Sequence, residues 1–214
     1  MLFVVDHLKA LNSAPGFLDL RDLKKVAIAG HSLGGMTVLE TLPHPMVKAG
    51  VMLDAAVTLM DLTEKLENRE LVDKPLLNIR RSNIAYGSRL RHRIERLKDK
   101  SPQRFQDAIV KEHEEVLQDE KGTEELYRYV NGRPENFIFI SDTVHMTFCD
   151  WFTLVPDKYI PGLLPLKQAH AVIVEAVIAF FHEHLLVDGT PYTDLIHENR
   201  FPEIQQEQIH LFGR

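Results

Sequence analysis

The chain has 214 residues and is poor in several things at once. Its one cysteine, Cys149, cannot form an internal disulfide, and that usage fits a reducing compartment. Positive charge is not in excess: 25 Lys and Arg stand against 31 Asp and Glu, a formal charge of −6. Such a chain lacks the basic footprint of a protein that binds nucleic acid. No apolar run approaches the roughly 20 residues that span a bilayer. The best of them, Ala171–Phe181, is interrupted by Glu175. The opening Met-Leu-Phe-Val-Val-Asp-His carries no basic leader ahead of a long apolar stretch, so it does not read as a signal peptide. These features favour the cytoplasm, with secretion open if a further segment precedes Met1. Repeats and low-complexity tracts are missing too. The histidines are scattered, and His182-x-His184 on a helix would point its two rings to different faces, a poor chelate. The stretch Gly30–Gly35 lacks the Lys-Ser/Thr ending of a phosphate-binding loop. Neither a metal nor a cofactor is therefore expected.

What is present is an ordinary globular composition, 44% hydrophobic and 26% charged, in a length that suits one domain with a sizeable core. Leu2, Val5, Leu8 and Leu11 recur at three-residue spacing and predict an amphipathic helix over 2–12. Lys24–Ala29 reads as a buried strand stopped by Gly30, followed by a helix over Leu33–Leu42. Ala49–Leu53, Pro75–Arg80 and Asn136–Ser141 read as further buried strands. Leu166–Leu185 reads as a long helix with Leu166, Ala169, Ile173, Val177, Phe181 and Leu185 on its apolar face. Short apolar strands alternating with helices argue a parallel α/β sheet. Residues 83–135 form a helical insert. Its part 89–104 is basic, its part 105–125 is acidic, and Ser101-Pro102 opens a helix whose stripe is Phe105, Ala108, Ile109, Val116 and Leu117. The insert is read as a pair of solvated helices of complementary charge, or as a lid. Residues 186–214 read as a C-terminal tail.

Gly30-His31-Ser32-Leu33-Gly34-Gly35 carries the strongest signal. It satisfies Gly-x-Ser-x-Gly and lies between a predicted strand and a predicted helix, the context of the nucleophile elbow of the α/β-hydrolase fold. The strand-to-helix turn forces strained dihedrals on Ser32, and side chains two places before or after it are expected to collide with neighbouring backbone. Ser32 is thus the candidate nucleophile. The N–H of Leu33, at the positive end of the helix, is the candidate oxyanion-hole donor. The alternative is a glycine-rich turn in an inactive domain. Neighbours on so sharp a turn diverge, so His31 is read as a packing or hydrogen-bonding residue rather than the base.

In this fold the acid and then the histidine follow the serine in chain order, each just after a strand. His145 follows Phe-Ile-Phe-Ile-Ser-Asp-Thr-Val by a short loop and is the candidate base. His113 falls in a charged helix, His170, His182 and His184 on the C-terminal helix, His197 and His210 in the tail. The strand before the insert is followed by Arg-Ser-Asn, with no carboxylate; the strand one earlier ends Val51-Met52-Leu53-Asp54. Asp54 is the candidate acid, Asp61 its rival, and an incomplete triad stays open. Asp142 and Asp150 are read as holding the histidine loop.

With these residues placed, the chain resembles the platelet-activating-factor acetylhydrolases, the serine-dependent phospholipase A2 family. Three segments carry the likeness: Val-Ala-Ile-Ala-Gly-His-Ser-Leu-Gly-Gly-Met-Thr-Val (26–38), Gly-Val-Met-Leu-Asp-Ala (50–55) and Val-His-Met-Thr-Phe-Cys-Asp-Trp (144–151). The closing Ala-Phe-Phe-His-Glu-His-Leu (179–185) is similar too. Leu33 stands where the family more often has Phe, and the insert is longer than usual. The resemblance implies the C-terminal part of an α/β-hydrolase domain over 1–214. It further implies an esterase that cleaves the short sn-2 acyl ester of an ether or oxidised phospholipid without a cofactor. General carboxylesterase or lipase activity is the alternative, as is a catalytically weak fragment that binds lipid or a partner. Only 31 residues precede Ser32. A complete domain of this fold places several strands there, and a loop that supplies a second oxyanion donor, worth about 10²–10³ in rate. The N-terminal strands are therefore expected to be missing, the strand 24–29 to be an open edge, and the chain to self-associate. Residues 151–166, with Trp151, Phe152, Tyr159, Ile160 and Leu163, are read as core beneath the last helix or as a contact with a membrane or lipoprotein surface.

Overall fold

The computed structural model describes residues 2–12, 22–59, 61–81, 102–150, 163–186 and 189–206. Helix α1 spans Leu2–Asn12, and among its described side chains Val5 is buried. Strand β1, Val26–His31, leads through Ser32 into α2, Leu33–Thr41. Then come β2, Val47–Leu53, the short α3, Thr63–Glu67, and β3, Leu76–Arg81. Helix α4, Pro102–Tyr129, precedes β4, Phe137–Ile140. The chain closes with α5, Leu166–Leu185, α6, Pro191–His197, and β5, Ile204–Gln206.

The five strands form one sheet in the order β1-β2-β3-β4-β5. The first four are parallel, and β5 joins β4 antiparallel. Parallel strands need crossovers, and those between β1 and β4 carry α2, α3 and α4. Both faces of the sheet are covered, so the strands are continuous apolar runs with alternate residues going to opposite cores. Met52, Leu76 and Phe137 pack with Val38, Leu39 and Leu42 of α2 and Leu126 and Tyr129 of α4. Val51, Leu77, Ile79 and Ile138 pack on the other face with Val172, Ala176 and Phe180 of α5 and Tyr192 and Leu195 of α6. This is the mixed α/β architecture expected of an α/β-hydrolase.

Two expectations change, at the face of α5 and in the tail. The apolar row assigned to α5 steps mainly by four residues, or 400°, and so drifts off the face; the buried row is Ala169, Val172, Ile173, Ala176, Ala179 and Phe180, with Phe181 and Val177 only partly covered. Of the expected pair of insert helices, the described residues contain one, 28 residues long. It is tied to β3 by buried Arg80, which donates to Asp119 and Thr123. Residues 82–101, and so most of the basic segment, lie outside the described residues, as does the loop 151–162 with Trp151 and Ile160. The supposed tail supplies a helix and a strand: Glu183 on α5 accepts the N–H groups of Tyr192 and Thr193 and the Thr193 hydroxyl, and buried Tyr192 donates to the Glu135 carbonyl at 2.7 Å.

Candidate active site

Because β1 to β4 are parallel, their C-terminal ends lie along one edge of the sheet. Register places His31 beside Leu53, Leu53 beside Ile79, and Arg81 beside Ile140. The residues that follow those ends, Ser32, Asp54 and His145, are 22 and 91 positions apart in sequence yet meet there.

Ser32 sits at φ 57°, ψ −119°, outside the regions that L-residues favour, between the end of β1 and the first residue of α2. Two backbone bonds hold it: its N–H donates to the Leu53 carbonyl at 3.0 Å, and its own carbonyl accepts from Gly35 at 3.0 Å. Gly30 is sterically required, since a Cβ there would stand 2.2 Å from the Gly34 carbonyl oxygen. Gly34, expected to be crowded, meets nothing within 4 Å; the crowded glycine after the serine is Gly35, whose Cβ would stand 2.5 Å from the Ala55 Cβ. The expectation of collision two places after the serine is therefore corrected to three. Helix α2 packs against the segment after β2 through Gly35. Leu33 opens α2 and is exposed, and N–H groups of a helix's first turn lack intrahelical acceptors.

Asp54 follows β2 at φ 43°, anchored by its N–H to the Ile79 carbonyl at 2.7 Å, with its carboxylate buried. His145 Nδ1–H donates to Asp54 Oδ2 at 2.6 Å. This assigns the proton to Nδ1 and leaves Nε2 as the ring's acceptor. The Asp54 carboxylate has two further partners that sequence reasoning missed, both from Arg81: its N–H to Oδ1 at 3.1 Å and its guanidinium Nη1 to Oδ2 at 3.1 Å. Asp61, the rival acid, is exposed and accepts the Thr63 N–H at 3.1 Å at the start of α3. Hydrogen bonds from Thr63 hold its carboxyl below the usual range.

The histidine loop is tightly held. The Val144 N–H donates to Thr147 Oγ1 at 3.0 Å, Thr143 Oγ1 donates to the Ile140 carbonyl at 2.7 Å, and His170 of α5 donates to the Thr147 carbonyl at 2.9 Å. Asp142 contributes through its carbonyl, which accepts from Leu164, rather than through its carboxylate. His31, read as a packing or hydrogen-bonding residue, turns onto this loop. Its Nε2–H donates to the His145 carbonyl at 3.1 Å, and the two rings lie 4.5 Å apart. A carbonyl only accepts, so the His31 proton sits on Nε2. Burial, and then the neighbouring His145, hold His31 below the ordinary histidine value. Ser32 Oγ makes no hydrogen bond among the described residues. In unliganded sites this contact is commonly long and tightens with substrate. No cluster able to hold a metal occurs among the described residues.

A strained serine at a strand-to-helix turn, near an imidazole bonded to a buried carboxylate, is an arrangement able to carry out acyl transfer through a covalent intermediate. The family model for platelet-activating factor acetylhydrolase, isoform II, matches residues 16–199. No curated protein and no solved structure matches the chain.

Proposed function

The chain belongs to the platelet-activating factor acetylhydrolase family, and from that premise we propose that it hydrolyses the short sn-2 acyl ester of platelet-activating factor or of oxidised phospholipids. The observation that carries the reading is the 2.6 Å bond from His145 Nδ1 to the buried carboxylate of Asp54, beside the strained Ser32. In the proposed mechanism Ser32 Oγ attacks the ester carbonyl while His145 Nε2 takes its proton. Asp54 fixes the ring and stabilises the imidazolium, and the Leu33 N–H faces the oxyanion. The imidazolium returns its proton to the departing lysophospholipid alkoxide. Water, deprotonated by His145, then releases the short carboxylate and restores Ser32. All groups are side chains or backbone of this chain, so the proposal invokes no cofactor.

Two further readings accompany this one. A phospholipid substrate implies contact with a membrane or lipoprotein surface. Among the described residues β1 pairs with β2 alone, leaving its other edge open for a strand of a second copy. The decisive experiment is labelling with a fluorophosphonate, which reacts only with an activated serine. Wild type should label and should hydrolyse an sn-2 acetyl phospholipid faster than its long-chain analogue. Ser32→Ala should lose both properties while keeping the wild-type circular dichroism spectrum. Labelling that persists in Ser32→Ala, or a preference for long acyl chains, would overturn the proposal. Light scattering across a concentration series tests association: a monomer at all concentrations refutes it.

A further inference from the structure

Asp54 Oδ2 has two cationic claimants, His145 Nδ1 at 2.6 Å and Arg81 Nη1 at 3.1 Å, while Oδ1 takes the Arg81 N–H at 3.1 Å. One residue therefore grips both carboxylate oxygens, and it does so from the end of β3, the strand next to the one that presents Asp54. A guanidinium keeps its charge at every relevant pH, whereas the imidazole gains one only on protonation. We infer that Arg81 is the positioning residue of this site: by holding both oxygens of Asp54 it clamps the carboxylate in the one rotamer that receives His145 Nδ1–H, and so fixes the ring that serves as the base. The inference rests on the esterase reading above.

Burial of an unpaired carboxylate is costly, and Asp54 is buried. Arg81 supplies a compensating charge and a backbone hydrogen bond, so the carboxylate is paired and correctly turned before substrate arrives. Among the described residues, the other titratable or charged groups around His145 are His31 of β1, at ring distance 4.5 Å, and His170 of α5, bonded to the Thr147 carbonyl. Cys149 and Asp150 lie on its own segment.

The test compares Arg81→Met and Arg81→Gln, which remove the charge, with Arg81→Lys, which keeps it. All three retain the N–H that bonds Oδ1. The Nδ1–H resonance of His145, which reports its bond to Asp54, is followed by NMR and identified as the one lost in His145→Gln. kcat and KM on a short-chain ester are read in parallel. In the Met and Gln variants the resonance should move upfield or broaden, and kcat should fall by about tenfold or more with KM little changed, since orientation rather than ground-state binding is lost. The Lys variant should restore the resonance and most of kcat. An unmoved resonance with unchanged kcat in a folded neutral variant, or a Lys variant as impaired as the neutral ones, would overturn the inference. The NMR arm needs no turnover. A wild type that neither labels nor hydrolyses therefore refutes the esterase reading alone, and an active enzyme whose variants are unchanged refutes the role of Arg81 alone.

Discussion

Three alanine substitutions at the elbow should have effects that differ in size and in sign. At Gly30 a methyl group would stand 2.2 Å from the Gly34 oxygen, 2.4 Å from the Gly34 carbonyl carbon and 2.9 Å from the Gly35 nitrogen. All three are backbone atoms that no rotamer change can move, so α2 must shift by about 1 Å relative to β1. Overpacking costs about 1–3 kcal/mol and occasionally more, and a backbone-to-backbone clash belongs at or above the top of that range. At Gly35 the obstacle is the Ala55 Cβ at 2.5 Å, with the Gly30 oxygen at 3.3 Å. Relief there needs only several tenths of an ångström, and the helix gains about 0.5–1 kcal/mol from losing a glycine, so the net loss should be about 1–2 kcal/mol. At Gly34 no atom is within 4 Å, so only the helical gain remains, up to about 1 kcal/mol, less so near close to the helix start. For a domain of this size about 1 kcal/mol moves Tm by roughly 2–4 °C. Thermal unfolding followed by circular dichroism should therefore rank Gly34→Ala at or slightly above wild type, Gly35→Ala several degrees below, and Gly30→Ala lowest, with esterase activity lost in the last. A Gly34→Ala protein as unstable as Gly30→Ala would refute the steric reasoning.

Other consequences can be checked with simple variants. Asn78 is fully buried in mid-sheet between Met52 and Phe137, and neither its amide nitrogen nor its oxygen has a partner among the described residues. An unpaired buried amide costs about 1–3 kcal/mol, so Asn78→Val should raise Tm, and an unchanged or lower Tm would show that the amide is satisfied. Asp54→Asn should cut kcat on a short-chain ester by about 10³–10⁴-fold, as loss of the orienting carboxylate does in serine hydrolases, whereas Asp61→Asn should cost less than about threefold; comparable losses at both positions would remove Asp54 from its role. His31 and His184 are both held below 6.5 in the folded chain, chiefly by burial. Below that value the unfolded chain takes up protons that the folded one resists. Their contribution to stability is thus complete above pH 6.5 and is lost as pH falls through the lowered folded values. Tm should decline from pH 6.5 toward 5, and His184→Gln should make the decline shallower; an equal or steeper decline in the variant would contradict this.

Much of the molecule was legible along the chain because the relevant signals are local. The elbow motif, the unbroken apolar runs of β1 to β4 and the short loops that place Asp54 and His145 just past strand ends are each contained in about ten residues. The parallel direction of those strands then follows from alternation with helices. That is why the α/β class, the family and the candidate residues could be read before any coordinates.

What the chain could not disclose depends on through-space distances. Whether Gly34 or Gly35 is crowded is decided by Ala55, twenty positions further on, where β2 ends against α2. The turn of His31 onto the His145 carbonyl spans 114 positions. In sequence Arg81 only marked a strand end without a carboxylate, and the parallel register of β2 and β3 is what brings its guanidinium to Asp54. The segment 191–206 carried a Pro at a helix start and a few apolar residues, too weak a pattern to read alone. It became a helix and a strand because Glu183 and the open edge of β4 offered its backbone groups partners. Residue type and spacing determined which elements and which chemistry this chain carries. Tertiary packing decided which neighbours those groups meet, because contact and charge act through distance in space rather than position along the chain.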